Sequence, residues 1–129
     1  MQKILILSYY FPPCNLTASE RVQSYALFLN EMGYHPVIVT RNWDIPIVRP
    51  QNEHIKTGDQ IIHESNKDYD VYYLPFKPNL QGKLFQKYFG TRLYFLYLVV
   101  AFVYGILENF TSLFTTYLPF YRFAKKIIE

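Results

Sequence analysis

The segment KILILSYYFPPCNLTASERVQSYALFLNEMGYHPVIVT, residues 3–40, decides the fold class. It opens with an uninterrupted apolar run, residues 4–7, of the kind found in strands that are buried on both faces of a sheet. Pro12 and Pro13 cannot continue a central strand or a helix, so the first strand must end before them. A second β-branched run follows at residues 37–39 and predicts another short strand.

An amphipathic helix is predicted between these two runs, at residues 17–32. Thr17 is followed three residues later by Glu20, which matches the capping-box pattern of a helix start. Gly33 suits the left-handed conformation that commonly ends a helix. Apolar residues recur between these ends at helical spacing and predict one buried stripe. The stripe consists of Ala18, Val22, Tyr25, Ala26, Leu29 and Met32.

The predicted fold class is therefore α/β, with a Rossmann-like parallel sheet. Two strands joined by a helix form a βαβ unit, so we expect residues 3–8 and 36–40 to be adjacent parallel strands. The polar residues 41–54 predict a surface loop. Residues 61–64 and 71–74 predict two short strands around an intervening turn.

Two further helical segments are expected, at residues 81–109, with Gly90 and Gly105 as weak points, and at residues 121–129.

Length and composition indicate one domain, because 129 residues of which 50% are hydrophobic can form a single packed core. The single cysteine excludes an internal disulfide and fits a reducing compartment.

A basic, aromatic segment lies at about residues 81–107. Residues 71–107 contain four cations and no acid, a charge of +4, so the rest of the chain sums to −1 within the net +3. Basic and aromatic residues flanking an uncharged stretch, residues 93–107, favour a position at an anionic membrane surface. Lys83, Lys87 and Arg92 are the candidate membrane contacts. A buried core helix is the alternative.

The loop between the first strand and the helix is the candidate ligand site, because ligands of α/β sheets gather at the carboxyl ends of strands. The helix start suits an anion. No glycine occurs between residues 1 and 32, so the dinucleotide fingerprint is absent. Thr17 has helix capping as its alternative role. The candidate acceptor or phosphate contacts are Tyr10, Pro13, Asn15, Thr17, Ser19 and Arg21.

The positions of His35, His54, His63 and Cys14 show neither metal-ligand spacing nor the order of a nucleophilic triad. We therefore expect no metal and no cofactor, and we assign no catalytic residue. The functional residues that this sequence suggests are therefore ligand-binding residues rather than catalytic ones.

The order YFPP, Arg21, Leu29, Gly33, then PVIVT across residues 3–41 resembles the start of family 4 glycosyltransferases. The continuation Arg41-Asn-Trp-Asp44 is similar to bacterial members that build surface polysaccharides. The resemblance implies a GT-B enzyme of two Rossmann-like domains, of which this chain would be an incomplete N-terminal, acceptor-side half. It also implies retaining transfer of a hexosyl group from a nucleotide-sugar to a saccharide or lipid-linked acceptor, in polysaccharide or glycolipid biosynthesis.

The same resemblance implies that the nucleotide-sugar is held by a C-terminal domain outside these 129 residues. We therefore expect the isolated chain to be inactive, whether it is a fragment, a truncated product or half of a split enzyme. We expect it in the cytoplasm, peripheral to the inner face of the membrane, with no nucleic-acid partner. The alternatives are a non-catalytic membrane-surface module, a subunit of a split two-chain enzyme, and a nucleotide-binding subunit of another α/β enzyme.

Overall fold

A computed structural model describes residues 2–47, 49–110 and 117–129. The elements in chain order are β1 (Gln2–Leu7), α1 (Thr17–Glu31), β2 (Tyr34–Arg41), a 3-10 helix (Pro50–His54), β3 (Ile62–Ser65), β4 (Asp70–Leu74), α2 (Leu80–Tyr88), α3 (Tyr94–Phe110) and α4 (Leu118–Ile128).

The sheet has four strands in the order β1-β2-β4-β3. β2 pairs in parallel with both β1 and β4, which confirms the adjacent parallel strands expected from the sequence. β3 runs antiparallel to β4, so the sheet is mixed rather than wholly parallel. The turn between them is closed by Asn66, whose Oδ1 accepts hydrogen bonds from the backbone N–H groups of Asp68 and Tyr69, each at 2.8 Å.

Helices cover both faces of the sheet. On one face α1 approaches β2 through the fully buried Ala26, in a cluster with Phe11, Ile38 and Val71. Side chains of a strand alternate between faces, so the neighbours of these residues form a second cluster with α4. That second cluster contains Val39, Leu74 and Phe120.

For α1, the predicted ends of the helix are confirmed, whereas the predicted buried stripe is confirmed only in part. α1 ends before Gly33, which has a φ of +87°. Val22, Ala26 and Leu29 are buried or half-buried as predicted. Ala18, Tyr25 and Met32, however, are exposed, and Ser19 is buried instead, so only part of the predicted stripe is confirmed. The small Ala26 lets the helix approach the sheet closely, and the larger Tyr25 is turned towards solvent.

The capping-box prediction is wrong. Leu16, not Thr17, is the N-cap residue of α1, and no side chain caps the helix there. The Ser19 backbone N–H instead donates to the Leu16 carbonyl at 2.9 Å. The first turn is thus closed by the backbone.

The prediction of a surface loop for residues 41–54 is wrong at both of its ends. Arg41 is the last residue of β2, and it is buried together with Asn42 and Trp43. The other end of the segment forms the 3-10 helix Pro50–His54. Polar composition was misleading here because the buried Arg41 guanidinium is held by the Tyr9 hydroxyl and by the carbonyls of Glu53 and Ile55.

The helical segment predicted at residues 81–109 is two helices. Gly90, with a φ of +76°, lies in the break between α2 and α3, whereas Gly105 lies within an uninterrupted helix. The amphipathic helix expected at residues 121–129 is confirmed as α4 and begins three residues earlier, at Leu118. Among the described helices, none has the length and hydrophobicity needed to cross a membrane.

Candidate functional site

The carboxyl ends of the three parallel strands converge on one side chain, Arg41. β1 leads into Tyr9, β2 ends at Arg41, and β4 leads into Phe76. The Arg41 side chain is fully buried. Its guanidinium carbon lies 3.9 Å from the centroid of the Trp43 ring and 3.7 Å from that of Phe76, so the planar cation is sandwiched between two aromatic faces.

The Arg41 guanidinium is held by neutral oxygens rather than by a carboxylate. Nη1 donates to the Tyr9 hydroxyl at 2.7 Å and to the Glu53 carbonyl, and Nη2 donates to the Ile55 carbonyl at 2.9 Å. Nε is buried without a hydrogen-bond partner among the described residues. Burial lowers the pKa of Arg41, although Tyr9 and Glu53 oppose this. The planar fork of donors therefore joins the β1 loop to the 3-10 helix.

Tyr9 lies at the centre of the aromatic cluster. Its ring makes edge contacts with Trp43 at 5.5 Å and with Tyr117 at 5.4 Å between centroids. The Trp43 indole N–H donates to the Tyr9 carbonyl at 3.0 Å. Burial raises the pKa of Tyr9 to about 12, although Arg41 opposes the shift. Tyr9 therefore stays protonated at neutral pH, accepting from Arg41 while keeping its own proton for another acceptor.

Glu53 is the carboxylate nearest to this cluster, and Tyr10 orients it. The Tyr10 hydroxyl donates to Glu53 Oε1, and Oε2 has no hydrogen-bond partner within the described ranges. Burial raises the pKa of Tyr10, and the hydrogen bond to Glu53 raises it further, so Tyr10 remains a donor. Tyr10 also stacks on Trp43, with ring centroids 5.6 Å apart. Oε2 is consequently an acceptor available to a ligand.

A cleft of about 190 Å³ opens beside this cluster, between the 3-10 helix and the start of α2. Aromatic side chains form part of its wall, and a carboxylate, an imidazole and two amides supply its polar groups. Its lining residues are Tyr9, Glu53, His54, Phe76, Asn79, Gln81, Gly82 and Tyr117.

Local sequence explains how the α2 side of the cleft is built. Asn79 is the N-cap of α2, and its Oδ1 accepts from the Gly82 backbone N–H at 2.8 Å, which leaves its amide NH₂ as a donor. Gly82 allows the close approach of His54, because a Cβ at that position would lie 3.0 Å from His54 Nδ1. Burial lowers the pKa of His54, so its ring is neutral at physiological pH.

Comparison of the chain with protein-family models, with curated proteins and with solved structures found no match. The arrangement of the cleft is therefore the basis for a functional assignment.

The cleft suits a neutral ligand with several hydroxyl groups. Tyr9 and the Asn79 amide offer donors, Glu53 Oε2 offers an acceptor, and the neutral His54 ring can do either, depending on its tautomer. A hydroxyl both donates and accepts, so it can satisfy either kind of group. An anion would instead face the Glu53 carboxylate. The Tyr117 ring, which is 58% exposed and lines the cleft, adds an apolar wall of the kind on which the C–H face of a sugar ring packs.

A second, more open cleft of about 530 Å³ lies on the other side of the β1–α1 loop. Its polar groups include the carboxylates of Asp44 and Glu64, and its floor includes Tyr73, whose pKa is raised to about 12 by burial and by Glu64. Pro13 lines this cleft. It is shallow, so it encloses a ligand less than the cleft at His54.

The structure separates the six site residues predicted from the sequence. Tyr10 contacts Glu53, Pro13 lines the open cleft, and Asn15 Oδ1 accepts from the Ile47 backbone N–H at 3.0 Å. Ser19 is fully buried and donates to the Cys14 carbonyl at 2.8 Å, so its hydroxyl is not presented to a ligand.

Thr17 and Arg21 are exposed on the first turns of α1. None of the six predicted residues lines the cleft at His54. Lys83, Lys87 and Arg92, the predicted membrane contacts, are all exposed. The metal-ligating types form no group that could hold a metal ion in the described part of the chain.

Sequence reasoning missed the residues that build the cleft, above all Arg41, Glu53, His54 and Asn79. Two signals were available. A charged residue directly after the buried run at residues 37–39 indicates a strand end at which ligands gather. An asparagine before a glycine-containing helical segment indicates an N-cap. The contact of Tyr10 with Glu53 joins positions 43 residues apart, which no local pattern reports.

Proposed function

We propose that this chain is the acceptor-side portion of a retaining glycosyltransferase that moves a hexosyl group from a nucleotide-sugar to a saccharide acceptor, in many cases lipid-linked. The observation that carries the proposal is the cleft between the 3-10 helix and α2. It lies at the carboxyl ends of the parallel strands, as binding sites of α/β sheets do, and combines aromatic walls with neutral hydrogen-bonding groups. The family resemblance of residues 3–41 supports the same assignment.

In this proposal Glu53 and Tyr9 grip acceptor hydroxyls. Glu53 Oε2 accepts from a sugar hydroxyl, and the protonated Tyr9 donates to a second oxygen. Tyr10 and Arg41 act through them as positioning residues, because Tyr10 orients Glu53 and Arg41 anchors both Tyr9 and the 3-10 helix. The nucleotide-sugar is assigned to a second domain of a GT-B enzyme. The product would enter polysaccharide or glycolipid synthesis at the cytoplasmic face of the membrane.

The cleft is tested by titrating the chain with methyl glycosides and following backbone and side-chain amide resonances by NMR. Methyl β-glucoside and methyl β-N-acetylglucosaminide are suitable probes, because they have no alkyl chain that could adsorb to exposed apolar helices. We expect saturable shifts at Asn79, Gln81 and Gly82. Shifts that are absent from the cleft with every glycoside would contradict the proposal.

Gly82→Ala is the matched variant. Its methyl group would lie 3.0 Å from His54 Nδ1 and 3.2 Å from the Pro78 Cβ, so it narrows the cleft without changing a polar group. We expect glycoside affinity to fall about tenfold, which corresponds to roughly 1.4 kcal/mol. Gly105→Ala is the control, because a Cβ there meets no atom within 4 Å. Equal affinity of both variants would place the glycoside elsewhere.

A further inference from the structure

Helix α3 has an inverted distribution of side chains. One stripe is half-buried and includes the tyrosine hydroxyl groups of the helix. That stripe consists of Tyr94, Tyr97, Val100, Ala101, Tyr104 and Gly105. Among the residues of α3 whose side chains the structure describes, the opposite face is exposed and apolar, with Val99 60% exposed and Phe102 71% exposed. A helix surrounded by water shows the reverse arrangement, with its apolar stripe against the protein.

The outward face of α3 is broad. Its exposed members occupy about half of the helix circumference, and their side chains are all apolar. They are Phe95, Leu96, Leu98, Val99, Phe102, Val103, Ile106, Leu107 and Phe110. A contiguous apolar surface of this kind marks an interaction site rather than ordinary exposure of single residues.

The inward stripe is fixed by α2. The Phe85 ring contacts Tyr97 with centroids 5.0 Å apart, and Phe89 contacts Tyr94 at 5.8 Å. In the part of the chain that the structure describes, α2 is the element against which α3 chiefly packs. One side of α3 thus packs against α2, and the opposite side forms one continuous exposed surface.

Charge and chemistry identify the partner of this surface. Lys83 and Lys87 lie four residues apart on α2, which places both on one face of that helix, and Arg92 lies in the turn before α3. No acidic residue occurs within residues 71–107. A protein interface has a polar rim and about one hydrogen bond per 100–200 Å². The described side chains of the outward face of α3 offer no group for such bonds, whereas hydrocarbon requires none.

We infer that α2 and α3 form a monolayer-inserting unit, in which α3 lies in the plane of an anionic bilayer with its outward face among the acyl chains. Lys83, Lys87 and Arg92 contact acidic headgroups. The in-plane orientation follows because α3, with 17 residues, is shorter than the roughly 20 apolar residues needed to cross the hydrocarbon core, and none of the described helices is long and apolar enough to span it. This inference concerns lipid binding alone and does not rest on glycosyl transfer.

The charge contribution is tested with the full chain and vesicles of phosphatidylcholine, either pure or equimolar with phosphatidylglycerol. A triple variant carries Lys83→Gln, Lys87→Gln and Arg92→Gln. Since three basic residues at an anionic surface together change partitioning by roughly a hundredfold, we expect the triple variant to bind the anionic vesicles about a hundredfold more weakly.

A matched control removes the same charge elsewhere, through Lys3→Gln, Lys67→Gln and Lys126→Gln, all at exposed positions. Its binding should stay within about threefold of wild type, because these residues do not flank α3. Equal losses in both triple variants would overturn the assignment of the basic residues of α2 and the turn, since only net charge would then matter.

The apolar contribution is tested by Val99→Gln, Phe102→Gln and Ile106→Gln together, and we expect binding to both vesicle types to disappear. The control is the triple replacement of Tyr25, Phe28 and Met32 by glutamine, because these residues are equally exposed on α1. Binding retained by the α3 variant would overturn the inference.

The depth of insertion is tested by Phe102→Trp in vesicles of brominated lipid. Fluorescence at position 102 should be quenched, whereas Trp43, buried in the wild-type protein, should not be.

A second copy of the chain is the competing occupant of the surface. Concentration-dependent dimerisation that Phe102→Gln abolishes, without vesicle binding by the wild type, would overturn the lipid assignment.

Discussion

Replacement of Arg41 by lysine separates the role of its charge from the role of its shape. Lysine keeps the positive charge, but its single nitrogen cannot reach both the Glu53 and Ile55 carbonyls while lying between the Trp43 and Phe76 rings. We therefore expect Arg41→Lys to destabilise the chain although net charge is unchanged.

The magnitude follows from the hydrogen bonds that are lost. A hydrogen bond to a charged group contributes about 1.5–3 kcal/mol, so the loss of two should lower the free energy of unfolding by about 3 kcal/mol at least. The full burial of Arg41 means that solvent does not screen these bonds. Against a total of about 5–15 kcal/mol for a small domain, this is a large effect.

The assay is urea unfolding followed by the fluorescence of Trp43, the single tryptophan of the chain, which stacks on the guanidinium itself. Arg49→Lys at an exposed position is the control and should change the free energy of unfolding by no more than about 0.5 kcal/mol. A loss below about 1 kcal/mol for Arg41→Lys, with an unchanged denaturant slope, would refute the fork geometry.

Two further predictions concern Gly33 and His54. Gly33→Ala places a side chain at a φ of +87° and should lower the free energy of unfolding by about 1–2 kcal/mol. Gly105→Ala, in the interior of α3, should instead raise the free energy of unfolding by up to about 1 kcal/mol. Thermal unfolding of the two variants checks this prediction, and equal shifts of the melting temperature would contradict it. Burial lowers the pKa of His54 below its ordinary value of 6.5, so its stabilising contribution is complete above that pH and is lost as the pH falls through the folded-state pKa. The stability difference between wild type and His54→Gln should therefore shrink on acidification below about pH 6.5, and a difference independent of pH would show that the ring is not held neutral.

Local patterns predicted the elements of this fold because burial of a strand or a helix leaves a periodic trace. The β-branched run at residues 37–39 lies in the central strand β2, and Gly33 and Gly90 mark helix ends. The apolar run at residues 4–7 also forms a strand, but the expectation that this strand is buried on both faces was wrong, because β1 is the edge strand of the sheet and its residues are half-buried or exposed. The buried face of α1 was misjudged in part, because Tyr25 fits the helical periodicity but is 65% exposed in the structure.

The candidate site was less predictable because its contacts are long-range. Arg41 is bonded to Tyr9, 32 residues away, and Tyr10 to Glu53, 43 residues away. A polar stretch that contains Arg41 and Glu53 is indistinguishable from a surface loop until its tertiary partners are known. For the uncharged stretch at residues 93–107 the sequence favoured a membrane-surface position and left a buried core helix as the alternative, since hydrophobicity alone does not tell whether a segment is core or surface; in the structure Val99 and Phe102 are exposed.

The assignment of this chain as an acceptor-side domain is tested most directly by calorimetric titration of the purified chain, first with acceptor-like glycosides and then with nucleotide-sugars. An acceptor-side domain should bind methyl glycosides or the corresponding disaccharides, lose that binding in Glu53→Gln, and show no saturable heat with UDP-glucose or GDP-mannose. Glu53→Gln removes the free carboxylate acceptor while keeping the shape of the side chain, so the loss would report recognition of hydroxyl groups. Tight binding of a nucleotide-sugar, together with no measurable binding of any glycoside, would contradict the acceptor-side assignment.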